Sequence, residues 1–147
     1  MRLPALALAT LLVAACASAG GAPPDTFVRS NAETRNTALL DVREGLSHAT
    51  AMRTLTDVLG SRYTVEITDP RAGFAMTAWE ASLVQNGVPD LRYRTRFVAQ
   101  FVGDDWSRLR VRQEANWARG EEWEVGYDAA QLDTMAAQLR LKLGRRP

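Results

Sequence analysis

The sequence is poor in the residue types from which most catalytic and metal sites are built. Among its 147 residues there is one cysteine, Cys16, and one histidine, His48. A lone cysteine closes no intramolecular disulfide, so the fold must be held by its core alone. A lone histidine with no second histidine or cysteine beside it makes no zinc-type ligand set, and neither a metal nor a cofactor is expected. His48 follows Ser47 at a helix start, where a solvent-exposed side chain is the ordinary reading. No Gly-rich phosphate loop and no Gly-x-Ser-x-Gly nucleophile turn occurs, and Glu121, Glu122 and Glu124 lack the spacing of a calcium loop. The expectation is a protein that is not an enzyme. Of 18 basic residues only Lys142 is lysine, and 17 acidic residues leave a formal net charge of +1, a balance that argues against nucleic acid as a partner. Long apolar runs are missing too: the stretch Leu3 to Val13 falls well short of the about 20 residues that cross a bilayer.

That short run has another use. Arg2 is a minimal basic start, Leu3 to Val13 an apolar middle, and Ala14 and Ala15 a small-residue end, the three parts of a secretory leader over residues 1–15. The sequence Leu12-Val13-Ala14-Ala15-Cys16 resembles a bacterial lipobox, in which the cysteine thiol receives a diacylglyceryl group before cleavage. The resemblance implies lipidation of Cys16; a plain secretory signal cut near Ala15 or Ala19 is the alternative. One acyl chain holds weakly, at about 0.8 kcal/mol per buried methylene, whereas two or three hold firmly, so the mature chain would be anchored to the membrane and not span it. Ala17 differs from the aspartate that, by resemblance to the bacterial sorting signal, retains lipoproteins at the inner membrane. A periplasm-facing protein anchored in the outer membrane is therefore expected.

Ala17 to Pro24 is a small-residue, Gly/Pro-rich spacer, and residues 16–45 read as lipidated N-terminus and tether. Within it, Leu39, Leu40 and Val42 fit either a short strand or a short amphipathic helix. Residues 46–144 read as a domain. Ser47 as N-cap, apolar positions at Met52, Leu55 and Leu59, and a stop at Gly60 predict a first helix. Asp128 with Gln131 as a capping pair, Leu132, Met135, Ala136, Leu139 and Leu143 as a stripe, and Gly144 as a stop predict a second. Between them the period is two. Tyr63 to Thr68, Phe74 to Val84 (Thr77, Trp79, Ala81 and Leu83 on one face), Arg92 to Val102 and Arg108 to Ala115 read as four strands, and Glu121 to Tyr127 as a short extra one. The predicted fold is a two-layer α+β domain: an antiparallel four-stranded meander with an N-terminal and a C-terminal helix packed on one face.

This order, with a helix ending in Leu59-Gly60, the strand Tyr63-Thr64-Val65-Glu66, the turn Asp69 to Gly73, the strand Thr77-Ala78-Trp79 and the closing leucine-rich helix, resembles the helix-grip domains of the BamC lipoproteins. Those belong to the outer-membrane β-barrel assembly machinery. The resemblance covers about Leu46 to Leu143, carries no catalytic residue, and implies an accessory role in an envelope protein complex. The chain departs from the family in having one such domain and no long extended N-terminal segment for a partner subunit.

Two groups of residues remain as candidate sites. Arg92, Arg94 and Arg96 alternate along one strand, and Arg108, Arg110 and Arg112 along the next, on the face opposite the apolar one. Guanidinium forks take phosphate or carboxylate in bidentate fashion, so this face is a candidate for an anionic glycolipid, a cell-wall polymer or an acidic protein. A solvated sheet face, with Glu66, Glu80 and Glu114 offsetting some charge, is the plainer alternative. Trp79, Phe97 and Phe101 read as core. Trp106, after two aspartates at a turn, and Trp123, in an acidic stretch, read as partly exposed interface candidates.

Overall fold

A computed structural model describes residues 21–31 and 35–145. The expected leader, Cys16 and the start of the expected tether lie outside the described residues. The elements in chain order are β1 (Phe27–Arg29), β2 (Thr37–Asp41), α1 (His48–Gly60), β3 (Val65–Asp69), β4 (Phe74–Thr77), β5 (Glu80–Ala81), β6 (Val84–Gln85), β7 (Val88–Pro89), β8 (Tyr93–Val102), β9 (Arg108–Arg119), β10 (Glu122–Asp128) and α2 (Ala129–Leu143). The protein is α+β, with a large antiparallel sheet and a helix near each end.

Both helices start at the caps expected of them. Ser47 accepts the Thr50 N–H through its side chain, and Asp128 accepts that of Gln131. Among the described residues the sheet is larger than the four strands and short extra one expected, with eight strands in the order β1-β10-β9-β8-β4-β3, β2 on β9 and β5 on β8; the extra one is β10. Its centre is the long β8–β9 pair, in register from Tyr93 opposite Trp117 to Val102 opposite Arg108. Alternation along this pair sends Phe97, Ala99, Phe101, Leu109 and Val111 into one buried cluster with Leu55 and Leu59 of α1 and Leu132, Met135 and Leu139 of α2. Arg96, Arg110 and Arg112 thereby fall on the other side of the sheet.

Two boundaries change. The domain begins before residue 46: β2 lies along Arg108 to Arg112 of β9, and β1 along Gly126 to Asp128 of β10, so much of the segment assigned to the tether belongs to the sheet. Leu40 and Val42 are buried in the main core, which favours the strand over the helix for this stretch. The strand expected to run unbroken from Phe74 to Val84 is interrupted. Met76 pairs with Val98, but Glu80 pairs with Thr95 and Ala81 with Arg94, a slip of one residue across Ala78 and Trp79. A one-residue slip exchanges the faces, so Thr77 stays inside while Trp79 moves from the expected core to the outer face.

Candidate functional site: the uncovered sheet face

The five arginines Arg94, Arg96, Arg108, Arg110 and Arg112 stand on the face that the helices leave uncovered. Arg92 does not join them. It lies just before β8, bonds both oxygens of Asp90 (Nε to Oδ1 2.9 Å, Nη2 to Oδ2 2.7 Å) and has its guanidinium 5.1 Å from the Trp117 ring centroid, at the end of the sheet. The hydrogen bonds from Arg92 hold the Asp90 carboxyl below its usual pKa.

Among the five, charge is handled in three ways. Glu114 bridges Arg96 and Arg112, each at 2.6 Å, so these three groups form one compact ion cluster. Arg94 is held by aromatic rings, 4.1 Å from the Trp123 centroid and 4.9 Å from that of Trp79, and Arg96 also lies 4.6 Å from Trp79. The buried Nε of Arg94 has no hydrogen-bond partner among the described residues. Arg108 and Arg110 are exposed and, among the described residues, form no ion pair. Their side chains are two residues apart on one strand, about 7 Å, a spacing that suits two anionic groups of one ligand or one acidic segment.

The arginines share the face with apolar side chains. One cross-strand row runs Ile67, Met76, Val98, Arg112, Thr37; the next runs Asp69, Phe74, Gln100, Arg110, Leu39. Leu39, Ile67 and Val125 are exposed, and Trp123 is 41% exposed. A purely solvated face would carry few such side chains together; guanidinium beside exposed aliphatic and aromatic groups is the composition of an interface.

Trp106 corrects the sequence reading, being only 7% exposed. Its backbone takes φ +53°, and its ring stacks on Phe101 (centroids 4.6 Å, planes 5° apart) and on His48 (4.1 Å, 13°). Room for the ring comes from Gly73, where a Cβ would come within 2.8 Å of it. Trp106 is thus a core residue that turns inward out of a polar turn. Comparison of the chain with family models and with curated proteins gave no match.

Sequence reasoning also missed a buried polar layer beneath the start of α2. The Tyr93 hydroxyl donates to Asp128 Oδ2 at 2.9 Å, and the Gln131 amide donates to the same oxygen at 3.1 Å and to Ser82 Oγ at 3.2 Å. Tyr63 and Thr95 both donate to Gln131 Oε1, and the Asp128 N–H donates to Gln113 Oε1. Burial first, then the bond to Asp128, raises the Tyr93 pKa far above the usual phenol value, so its proton stays on oxygen as a donor. The layer seats the helix on the sheet. Its only signal in the sequence was polar Thr77, Thr95 and Gln113 at inward positions of apolar strands.

Proposed function

We propose that the chain is a non-enzymatic lipoprotein of the bacterial outer membrane, held at the periplasmic surface through acylated Cys16, whose uncovered sheet face engages an envelope protein as an accessory of a barrel-assembly-like complex. The four strands β3, β4, β8 and β9, with α1 and α2, are read as the meander of a BamC-like helix-grip domain to which β1, β2 and β10 have been added. The observation that carries the reading is the mixed face itself: Arg108 and Arg110, without ion-pair partners among the described residues, beside exposed Leu39. An acidic partner surface would supply the missing carboxylates, and its apolar centre would cover Leu39 and Ile67. A photo-crosslinking amino acid at position 39 tests this in cells. Enrichment of barrel-assembly subunits is the expected result; crosslinks to bulk lipoproteins alone would refute it. In parallel, Cys16→Ser is expected to move the protein to the soluble periplasmic fraction, and its persistence in membranes would show that acylation is not the anchor.

A second reading is favoured by the about 7 Å spacing of the Arg108 and Arg110 side chains, which also fits phosphates of an anionic glycolipid or the carboxylates of a cell-wall polymer. It predicts salt-sensitive binding to anionic vesicles that Arg108→Gln with Arg110→Gln abolishes.

A further inference from the structure

The β6–β7 hairpin forms a two-stranded sheet of its own, outside the main one. Its turn, Asn86-Gly87, has φ +52° and +80°, the two-residue type I′ geometry that Asn-Gly favours. Val84 faces Pro89 and Gln85 faces Val88, so apolar side chains leave both faces of the ribbon. Val84, Val88 and the following Leu91 are 60%, 66% and 80% exposed. A ribbon that lies sideways on a protein groove needs one apolar face. This one is apolar on both, and no residue from Ala81 to Pro89 is charged. The next two charges, Asp90 and Arg92, neutralise each other at 2.7 Å.

The chain enters the domain at the same end. A Cβ placed on Gly21 would lie 3.2 Å from the Arg92 guanidinium, which puts the N-terminal entry against the base of the hairpin. Cys16 is five residues before Gly21. Five residues reach at most about 18 Å, so an acyl group on Cys16 brings the bilayer to this end of the molecule and no other. Exposed Trp123 lies here too: it pairs with Ala118, whose N–H donates to the Arg92 carbonyl. Trp123 is backed by the Arg94 guanidinium, 4.1 Å from its ring centroid, and an exposed tryptophan with a cation behind it, at the same end as an apolar hairpin tip, is a composition found at membrane interfaces.

We propose that the Val84–Pro89 hairpin, with Leu91 and Trp123, rests in the lipid interface and fixes the orientation of the domain on the membrane. The inference depends on acylation of Cys16 as read above. A short tether alone leaves the domain free to turn; an apolar tip held within reach of the bilayer at high effective concentration removes that freedom.

The test uses the full chain, expressed with its leader, whose intact mass is measured before any vesicle is added. A diacylglyceryl addition is expected; its absence overturns the Cys16 reading, and this inference with it, separately from anything the vesicles report. Acylation consumes the Cys16 thiol, so Leu91→Cys carries the only free thiol for an environment-sensitive fluorophore. Leu141→Cys is the control: Leu141 is also 80% exposed but near the end of α2, at the opposite end of the domain, where Gly144 bridges Val42. In vesicles of phosphatidylethanolamine and phosphatidylglycerol, the label at 91 is expected to shift to the blue and be quenched by nitroxide lipids, with neither change at 141. Adding Val88→Asp should abolish the shift at 91 while the acylated protein still floats with the vesicles. Equal signals at 91 and 141 would overturn the proposal. So would a blue shift at 91 that appears without vesicles, which would mean that a second copy covers the hairpin.

Discussion

At the scale of single residues, the side chains that matter for stability are those whose polarity or position misleads. Trp106 follows Asp104 and Asp105, yet its ring is packed between His48 and Phe101. Trp106→Ala removes a large buried ring and should cost about 3–5 kcal/mol in urea unfolding. Partner recovery should fall only as far as the folded fraction does, which separates a core role from an interface role. Tyr93 makes a second prediction. The fold keeps the Tyr93 phenol protonated beyond its ordinary range, so the unfolded chain loses that proton first as pH rises. Stability is therefore fully present below about pH 10 and falls above it. Tyr93→Phe removes the donor to Asp128 and should cost about 1–3 kcal/mol at neutral pH. The same substitution should flatten the alkaline decline in urea midpoints without abolishing it, because Tyr63 is shifted in the same direction, chiefly by burial.

At the scale of elements, what was legible in the sequence is what local chemistry determines. Ser47 and Asp128 cap their helices, and the leucine stripes give the buried faces, because a cap and a 3.6-residue period need no distant partner. The long strands β8 and β9 alternate so regularly that their inward residues were readable one by one. β1 was not, and β2 was legible only as one of two alternatives, because these pieces of three and five residues are too short to show a period and their strand form comes from the ladders they complete on β10 and β9. The break at Ala78 and Trp79 was invisible for a related reason: a slip of register is set by the partner strand, and Trp79 reads as core in any single sequence. Of the candidate site, the outward arginines of β8 and β9 were legible from alternation, but the pairing of Arg92 with Asp90 and the burial of Trp106 depend on side-chain geometry at turns. One residue tests the attachment of β1. Gly126 has no side chain where the Phe27 ring and the Val28 carbonyl cross β10, and a Cβ there would collide with both. Gly126→Ala should displace β1, seen as lost hydrogen-exchange protection at the Ser30 amide, which bonds the Val125 carbonyl, while amides of the β8–β9 pair stay protected.

At the scale of the whole molecule, the two proposed surfaces constrain each other. Along β9, Arg108 is ten residues from Ala118, beside which the hairpin end begins, a distance of about 33 Å in an extended strand. Charges are screened over about 8 Å at physiological salt. With the hairpin at the bilayer, Arg108 and Arg110 stand several screening lengths from lipid headgroups, and the group they meet must extend into the periplasm. That geometry favours an acidic protein surface over membrane glycolipid as their partner. Arg108→Gln with Arg110→Gln should then lower crosslinking of the partner from position 39 and remove its dependence on salt. Both residues are exposed and form no close ion pair among the described residues, Arg108 acting on Asp105 only at longer range, so the stability change should stay within about 0.5 kcal/mol. Flotation with membranes should be unaffected, since the anchor and the hairpin lie at the other end. If the double variant instead lost membrane attachment while keeping its crosslinks, the arginines would be lipid contacts and the domain would sit on the bilayer by its sheet face.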